Sequence, residues 1–327
     1  MIPRPRSTAA SGLPAPLKTN VLLIGATGFI GSRILKALQS REDVLVSILA
    51  RRPGVMFPQP RPGILFGDVT DPDSVSRAVS GSDVVINAAS HVGRDPDLAR
   101  QVNHEGTVAV IRAFQASQAR RLIQLSTTAV YGSGPHRGLL ASQAAYGPES
   151  AVSRSRAAAD QAVLAAGGII IRPSLVHGAG DRWFIPGVVR MFRTLGTTID
   201  DGRAALSLID VADLGRLVAS LAVNALPLAG AFHAADPAPV TLSSLLGTIG
   251  RRVAALDVAG SSSLDDAVRA LEPAGFRPHQ VRMLGMDHHY DAHGLWRLAR
   301  LQPAGFHLSP EAALWYRTEI ATGPSAG

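Results

Sequence analysis

Three features of the sequence predict an α/β chain: an open, doubly wound parallel sheet followed by a smaller C-terminal domain. Short apolar runs alternate with helical patterns. The runs are continuous rather than alternating, as strands buried on both faces require. A glycine-rich turn, "GATGFIG", joins the first run to the first helix.

Taken in order, "NVLLI" is the first strand and "FIGSRILKAL" the helix behind the turn, with Ile34, Leu35 and Leu38 on its apolar face. "VLVSILARR" is the second strand. "GILFGDVTD" is the third, with a helix near "DPDSVSRAV". "DVVINAAS" is the fourth strand, followed by a helix over "VNHEGTVAVIRAFQAS". "RLIQLSTTAVYG" reads as the fifth, the small-residue helix "ESAVSRSRAAADQAV" follows, and "GIIIRPSLVHG" reads as the sixth. "SSSLDD" (261–266) looks like a helix start, with a serine cap and acids in the first turn.

Composition narrows the partners. Hydrophobic residues make up 46% of 327, ample for a packed core, and no apolar run is long enough for a membrane span. Residues 1–18, rich in Pro, Ser and Ala, read as a flexible tail and lack the apolar run of a secretory signal. The chain has no cysteine, so disulfide and thiol chemistry are excluded and a cytoplasmic protein is expected. The net charge of +7 is scattered and only 5% of residues are aromatic, so an anionic cofactor or acidic substrate is expected rather than nucleic acid. No membrane partner is expected, and the chain is read as a monomer or homodimer.

The turn carries the first specific signal. Gly25 permits the tight exit from the strand, Gly28 allows close backbone approach to a pyrophosphate, and Gly31 lets the helix pack on the sheet, with Thr27, Phe29 and Ile30 between and beside them. The amides at the helix start hold phosphate. The second strand ends at Ala50-Arg51-Arg52, where an NAD enzyme usually places an acid for the ribose hydroxyls. Guanidinium attracts a 2′-phosphate, so Arg51 and Arg52 favour NADP(H), with NAD(H) as the alternative.

The glycine spacing, "GDVTD", "NAAS", "VNHEGT" and "STTAVYG", in that order, resemble the extended short-chain dehydrogenase/reductase family over roughly residues 20 to 318. The resemblance implies a Rossmann-type sheet. It implies Asp68 and Val69 beside adenine, and Ala88, Ala89 and Ser90 beneath the cofactor ribose and phosphates. Ser126 and Thr127 would lie beside the nicotinamide, and Pro173, Ser174, Leu175 and Val176 would contact it from the sixth strand. It also implies a nucleotide-binding unit at 19–177, with 206–234 returning to it. Residues 178–205 and 235–327 would form the substrate-binding domain and lid.

The family's acid is the tyrosine of a Tyr-x-x-x-Lys pair. Matching "SRAAAD" to the family's "SK-AAAE" puts Val152 at the tyrosine and Arg156 at the lysine. The only lysines are Lys18 and Lys36, and no tyrosine has a lysine four residues on. Arg156 can bind ribose or substrate but cannot give up a proton at neutral pH. Thr127 and Ser126 remain to orient a substrate oxygen. Tyr146, six residues before Val152, His177 after the sixth strand, and Trp183 and Phe184 in "GDRWFIP" are candidate substrate contacts. His289 and His293 share helical spacing in "DHHYDAH", but no third ligand stands at a recognised spacing, so no metal is expected.

Three functions fit. The first is an NADPH-dependent ketoreductase acting on an aromatic polyketide, since the lost pair and the Arg-, Ala- and Gly-rich composition resemble actinobacterial polyketide ketoreductases. In it the substrate would supply the proton. The others are a sugar-nucleotide epimerase or dehydratase and a non-enzymatic NADP-binding sensor.

Overall fold

A computed structural model describes residues 18–51 and 63–322. Arg52 and most of the N-terminal segment lie outside the described residues.

Strand β1 (Thr19–Ile24) contributes Val21, Leu22, Leu23 and Ile24, all at most 2% exposed, which is why its sequence is apolar on both faces. Helix α1 (Phe29–Gln39) buries Ile34, Leu35 and Leu38. Then come β2 (Val44–Ala50), β3 (Gly63–Phe66), α2 (Pro72–Val79) and β4 (Val84–Asn87). A short α3 (Pro96–Ala99) runs through a π-helical turn, Arg100–Glu105, into α4 (Gly106–Gln115). After β5 (Arg121–Leu125) and β6 (His136–Leu139) comes α5 (Ala151–Ala165). The strands β7 (Ile169–Pro173) and β8 (Leu175–His177) lead to α6 (Phe184–Leu195) and, further on, α7 (Val211–Ala222).

The central sheet has seven strands in the order Gly230–Ala234, β7, β5, β4, β1, β2, β3, and every neighbouring pair is parallel. The chain winds outward from β1 through β2 and β3, then returns to β4 on the other side of β1. That reversal opens a crevice outside the carboxyl ends of β1 and β4, where such sheets bind ligands. One face of the sheet is covered by α1 and α7 through Ile34, Leu38, Leu214, Leu217 and Leu221, the other by α2 and α4 through Val75, Val79 and Val110. A second core gathers Ile185, Val189 and Phe192 of α6 with Leu206, Leu245 and Tyr316. No described helix is long and apolar enough to cross a membrane.

Three sequence expectations need correction. The fifth run leaves the sheet at Leu125, and Thr128–Tyr131 form a 3-10 turn. The sixth run is broken at Ser174, whose N–H donates to Ala234 O at 3.2 Å, and β8 pairs with Leu208–Asp210 outside the central sheet. An apolar run does not reveal where a strand changes partner. Finally, His288–Tyr290 is a strand paired with β6, so His289 and His293 do not share a helix face. His289 Nδ1 accepts from Gly138 N at 3.0 Å instead. Among the described residues no three His, Asp or Glu side chains are placed to hold a metal. The helix start at Ser263 is as expected: its Oγ accepts from Asp266 N, and Asp265 and Asp266 occupy the first turn.

Candidate functional site

The site begins at the turn after β1. Gly25 has φ +84°, and a Cβ there would stand 2.5 Å from Ala89 N and 2.6 Å from Ala88 C. A Cβ at Gly31 would stand 2.0 Å from Gly25 O. Any side chain at either position would drive the turn, the helix or the loop after β4 apart. Gly28 is the N-cap of α1 and makes no side-chain cap bond, so the first amides of the helix are open at the crevice. Thr27 is exposed beside them, and Phe29 and Ile30 are partly buried in the first turn. This cradle fits a dinucleotide pyrophosphate.

Neighbouring residues complete the edge of the crevice. Arg51 is exposed one residue past β2 and has no ion pair among the described residues. Asp68 Oδ1 accepts from Thr70 N at 2.9 Å, which shapes the loop after β3, and Val69 is buried. The loop after β4 starts with Ala88 N donating to Ile24 O and Ala89 N donating to Asn87 Oδ1.

Helix α5 supplies the next layer. Ser150 and Ser153 cap it reciprocally, each hydroxyl accepting from the other's amide. Val152 stands one turn before Arg156, so the positions of the expected pair share a face. Arg156 Nη1 donates to Ser126 O at 3.0 Å, and Nη2 donates to Ser90 Oγ. The guanidinium thus joins the loop after β4 to the loop after β5. Ala89, Ser90, Asn103, Ser126, Arg156 and Asp160 line one narrow crevice. Burial pulls the Arg156 guanidinium below the usual arginine value and Asp160 offsets this.

Of the two expected oxygen-orienting residues, only Thr127 is partly open. Its Oγ1 accepts from Ala129 N at 3.1 Å, leaving its own O–H free to donate. Ser126 is 2% exposed, and its Oγ is buried beside the Asp160 carboxyl rather than open to a substrate.

Behind the crevice lies a polar network that no sequence pattern indicated. Arg172, on β7, donates from Nε to Asp160 Oδ2 at 2.9 Å and from Nη1 to Tyr131 Oη at 2.7 Å, and Nη2 donates to Tyr146 Oη. Tyr131 Oη is also 2.7 Å from His233 Nε2. His233 Nδ1 faces the Asp291 carbonyl, which only accepts, and burial keeps the ring neutral, so its Nε2 accepts from the Tyr131 hydroxyl. Burial pushes the Tyr131 phenol up to about 12 despite the Arg172 charge beside it. Tyr146, expected at the substrate, accepts from Arg172 with its oxygen and keeps its own O–H to donate, and burial raises its phenol as well.

A model of the NAD dependent epimerase/dehydratase family matches residues 21–227. The chain belongs to that family. It is 28% identical over 242 residues to the 4-hydroxy-2-methyl-3-oxo-4-farnesyl-3,4-dihydroquinoline-1-oxide ketoreductase of Stigmatella aurantiaca, covering 68% of this chain and 70% of that one. It is 32% identical over 178 residues to the 2-alkyl-3-oxoalkanoate reductase of Stenotrophomonas maltophilia (strain K279a), covering 51% of this chain and about half, 53%, of that relative. It is 26% identical over 216 residues to the UDP-glucose 4-epimerase of Vibrio cholerae, covering 60% and 65%. Among solved structures, MoeE5 in complex with UDP-glucuronic acid and NAD matches with a TM-score of 0.70 at 18% identity, covering 91% of this chain and 98% of that one. The dTDP-glucose 4,6-dehydratase of Bacillus anthracis str. Ames in complex with NAD matches with a TM-score of 0.67 at 18% identity, covering 92% and 96%. These structural matches carry the fold.

Within this member of the epimerase/dehydratase family, the residues from the end of β7 onward part company. Pro173 is buried, and Ser174, Leu175 and Val176 are partly buried. His177, expected to face the substrate, is 2% exposed. Its ring meets Phe306 edge-on at 5.2 Å, and its Nδ1 is 3.9 Å from Asp210 Oδ2, too far for a hydrogen bond. Asp181 shapes the following loop: Oδ1 accepts from Trp183 N and Phe184 N, and Oδ2 accepts from Ile185 N and the Tyr316 hydroxyl. The loop is thereby clamped to the C-terminal helix. Phe184 packs against the second core, while Trp183 is 76% exposed.

Burial holds both His177 and His233 down at about 4, against 6.5 for an unperturbed ring. A base depressed in the folded state contributes stability that is complete above the unfolded pKa and is lost as pH falls through the folded value. Stability should therefore fall steadily from pH 6.5 to 4, by up to about 3 kcal/mol per ring. Urea unfolding across this range measures it, and His177→Phe should shrink the slope by about one proton.

Proposed function

We propose that the chain is an NADPH-dependent ketoreductase acting on an aromatic, angucyclinone-like polyketide, similar to the simocyclinone 7-ketoreductase, with the proton supplied by the substrate. The observation that carries this reading is a glycine cradle fit for a dinucleotide joined to a helix with Val152 and Arg156 where the family's acid pair stands. The names of two relatives, both reductases of oxo compounds, support it. The epimerase relative supports a sugar-nucleotide reaction less well, because that chemistry cycles a proton through the absent tyrosine.

When bound, reduced nicotinamide supplies a hydride. The chain's own residues do the rest. The α1 amides and Gly25, Gly28 and Gly31 hold pyrophosphate, and Arg51 selects the 2′-phosphate. Arg156 braces Ser90 and the Ser126 carbonyl at the ribose. Thr127 orients the ketone oxygen with its free O–H. The second core, with the exposed Trp183, closes over the substrate as its domain and lid.

The experiment is to follow loss of reduced cofactor with aromatic ketones. Turnover with NADPH should exceed that with NADH. Arg51→Asp should weaken NADPH binding while sparing NADH, by about tenfold or more, since one charge-assisted phosphate contact is worth roughly 1.5–3 kcal/mol. Equal binding of both cofactors, unchanged in the variant, would overturn the NADPH assignment. Binding of NADPH with no ketone reduced would favour the sensor.

A further inference from the structure

A second cavity lies at the end of the sheet opposite the glycine cradle. Helices α1 and α7 cover the same face, and α1 starts at the cradle, at Gly28. Its 11 residues carry the chain roughly 16 Å away from the crevice, toward Arg41. There the segment after α1, the end of α7 and the helix His293–Ala299 enclose a groove of about 750 Å³. Small-molecule sites commonly measure about 300–1,000 Å³. Val223, Leu226 and Leu298 give the groove an apolar lining, and Arg41, Arg297 and Arg300 line it too. Among the described residues, no Asp or Glu does.

The arginines are not needed to finish the helices that end here. The last four carbonyls of His293–Ala299 each have another donor. Trp296 O accepts from Leu301 N at 3.2 Å, and Arg297 O accepts from Arg300 N at 3.1 Å. Leu298 O accepts from Asn224 Nδ2 at 2.9 Å, and Ala299 O accepts from Ser220 Oγ at 2.8 Å. The last two bonds also tie this helix to α7 and its end, which fixes the walls before any ligand arrives. At the end of α7, the buried Arg121 donates to the carbonyls of Leu221, Ala222 and Leu226. Arg41 is matched by Asp43, its Nε and Nη2 donating to the two carboxyl oxygens at 2.9 and 2.8 Å. Arg121, Arg297 and Arg300 have no carboxylate partner among the described residues.

Arg300 also departs from what its backbone favours. It ends its helix at φ 55° and ψ 38°, a left-handed position that glycine usually fills. Strained positions of this kind cluster at ligand sites. Gly294 lines the groove as well, and a Cβ there would meet nothing within 4 Å.

We infer that this groove is a second binding site, for a small amphiphilic anion: an aromatic or acyl body ending in a carboxylate. The apolar lining takes the body. Arg297 and Arg300 take the carboxylate through charge-assisted hydrogen bonds. The buried Arg121, bonded to Leu226, adds a positive charge that salt screens little. The concave shape and the tied walls suit a small molecule rather than a flat surface. The inference does not depend on the ketoreductase reading, and the groove shares no residue with the crevice.

The test titrates the full chain by calorimetry with naphthoate and with its uncharged analogue, naphthamide. Naphthoate should occupy one site in this groove, and naphthamide should bind it at least about tenfold more weakly. Arg297→Gln and Arg300→Gly should each weaken naphthoate by about tenfold or more. Glycine suits the left-handed backbone at 300, so that variant should melt no lower than wild type. Gly294→Phe should block the groove and abolish this binding, with the melting temperature held, because a side chain there has open space. Naphthoate binding that survives all three variants, or that NADPH displaces, lies elsewhere and overturns the proposal. Equal affinity for naphthamide also overturns it. So does the absence of naphthoate binding, whether the groove then proves to hold phosphatidylglycerol vesicles or, in sedimentation, a second copy of the chain.

Discussion

Replacing Arg172 with methionine should destabilise the protein by about 3–5 kcal/mol, the cost of stranding one partner of a buried ion pair. Arg172 is 2% exposed and Asp160 0%. Without the guanidinium, the Asp160 carboxyl would keep Ser126 and Arg156 as its remaining favourable neighbours, while burial already pushes its pKa up. Tyr131 and Tyr146 would each lose a donor at the same time. A domain is stable by only about 5–15 kcal/mol, so the loss is a large fraction. The double variant Arg172→Met with Asp160→Leu should recover part of it, because an apolar pair strands no charge. Urea unfolding of the two variants measures both. A single variant within about 1 kcal/mol of wild type would show that the pair carries no such role.

The sheet was legible because its strands are buried on both faces. Leu22, Leu23, Ile86 and Ile123 sit in unbroken apolar runs, whereas a strand with one face in water would alternate apolar and polar residues. The cradle was legible because glycine at 25 and 31 answers a backbone constraint that no other residue meets. The place of Arg156 at the node came from matching one short motif. The rest depended on contacts between residues far apart in sequence. Arg172 meets Tyr131 across 41 positions, and Tyr131 meets His233 across 102. No periodicity encodes such pairs. His177 looked exposed because it follows a strand at the functional end of the sheet, and Phe306, far along the chain, covers it. Asn103 lies within "VNHEGT", yet nothing in that string shows that its side chain locks the His91 loop.

In the proposed reaction, an epimerase/dehydratase fold without its acid pair reduces a ketone because the substrate brings the proton. A positioned general acid contributes about 10²–10⁴-fold to a rate, or roughly 3–5 kcal/mol of barrier. Holding two reactants together contributes more, up to about 7–11 kcal/mol, so loss of the acid need not end the reaction. A phenol beside the ketone has the chemistry of the missing tyrosine, with a pKa near 10 like that residue. In the protein, Tyr131 donates to His233, and the Tyr146 oxygen accepts from Arg172. The measurement is NADPH consumption with an aromatic ketone bearing a neighbouring phenol and with its methyl ether, alongside the binding affinity of each. Steady reduction of the phenol is expected, with a rate at least about 10²-fold lower for the ether and similar affinities. Equal rates for the two at equal affinity would contradict it.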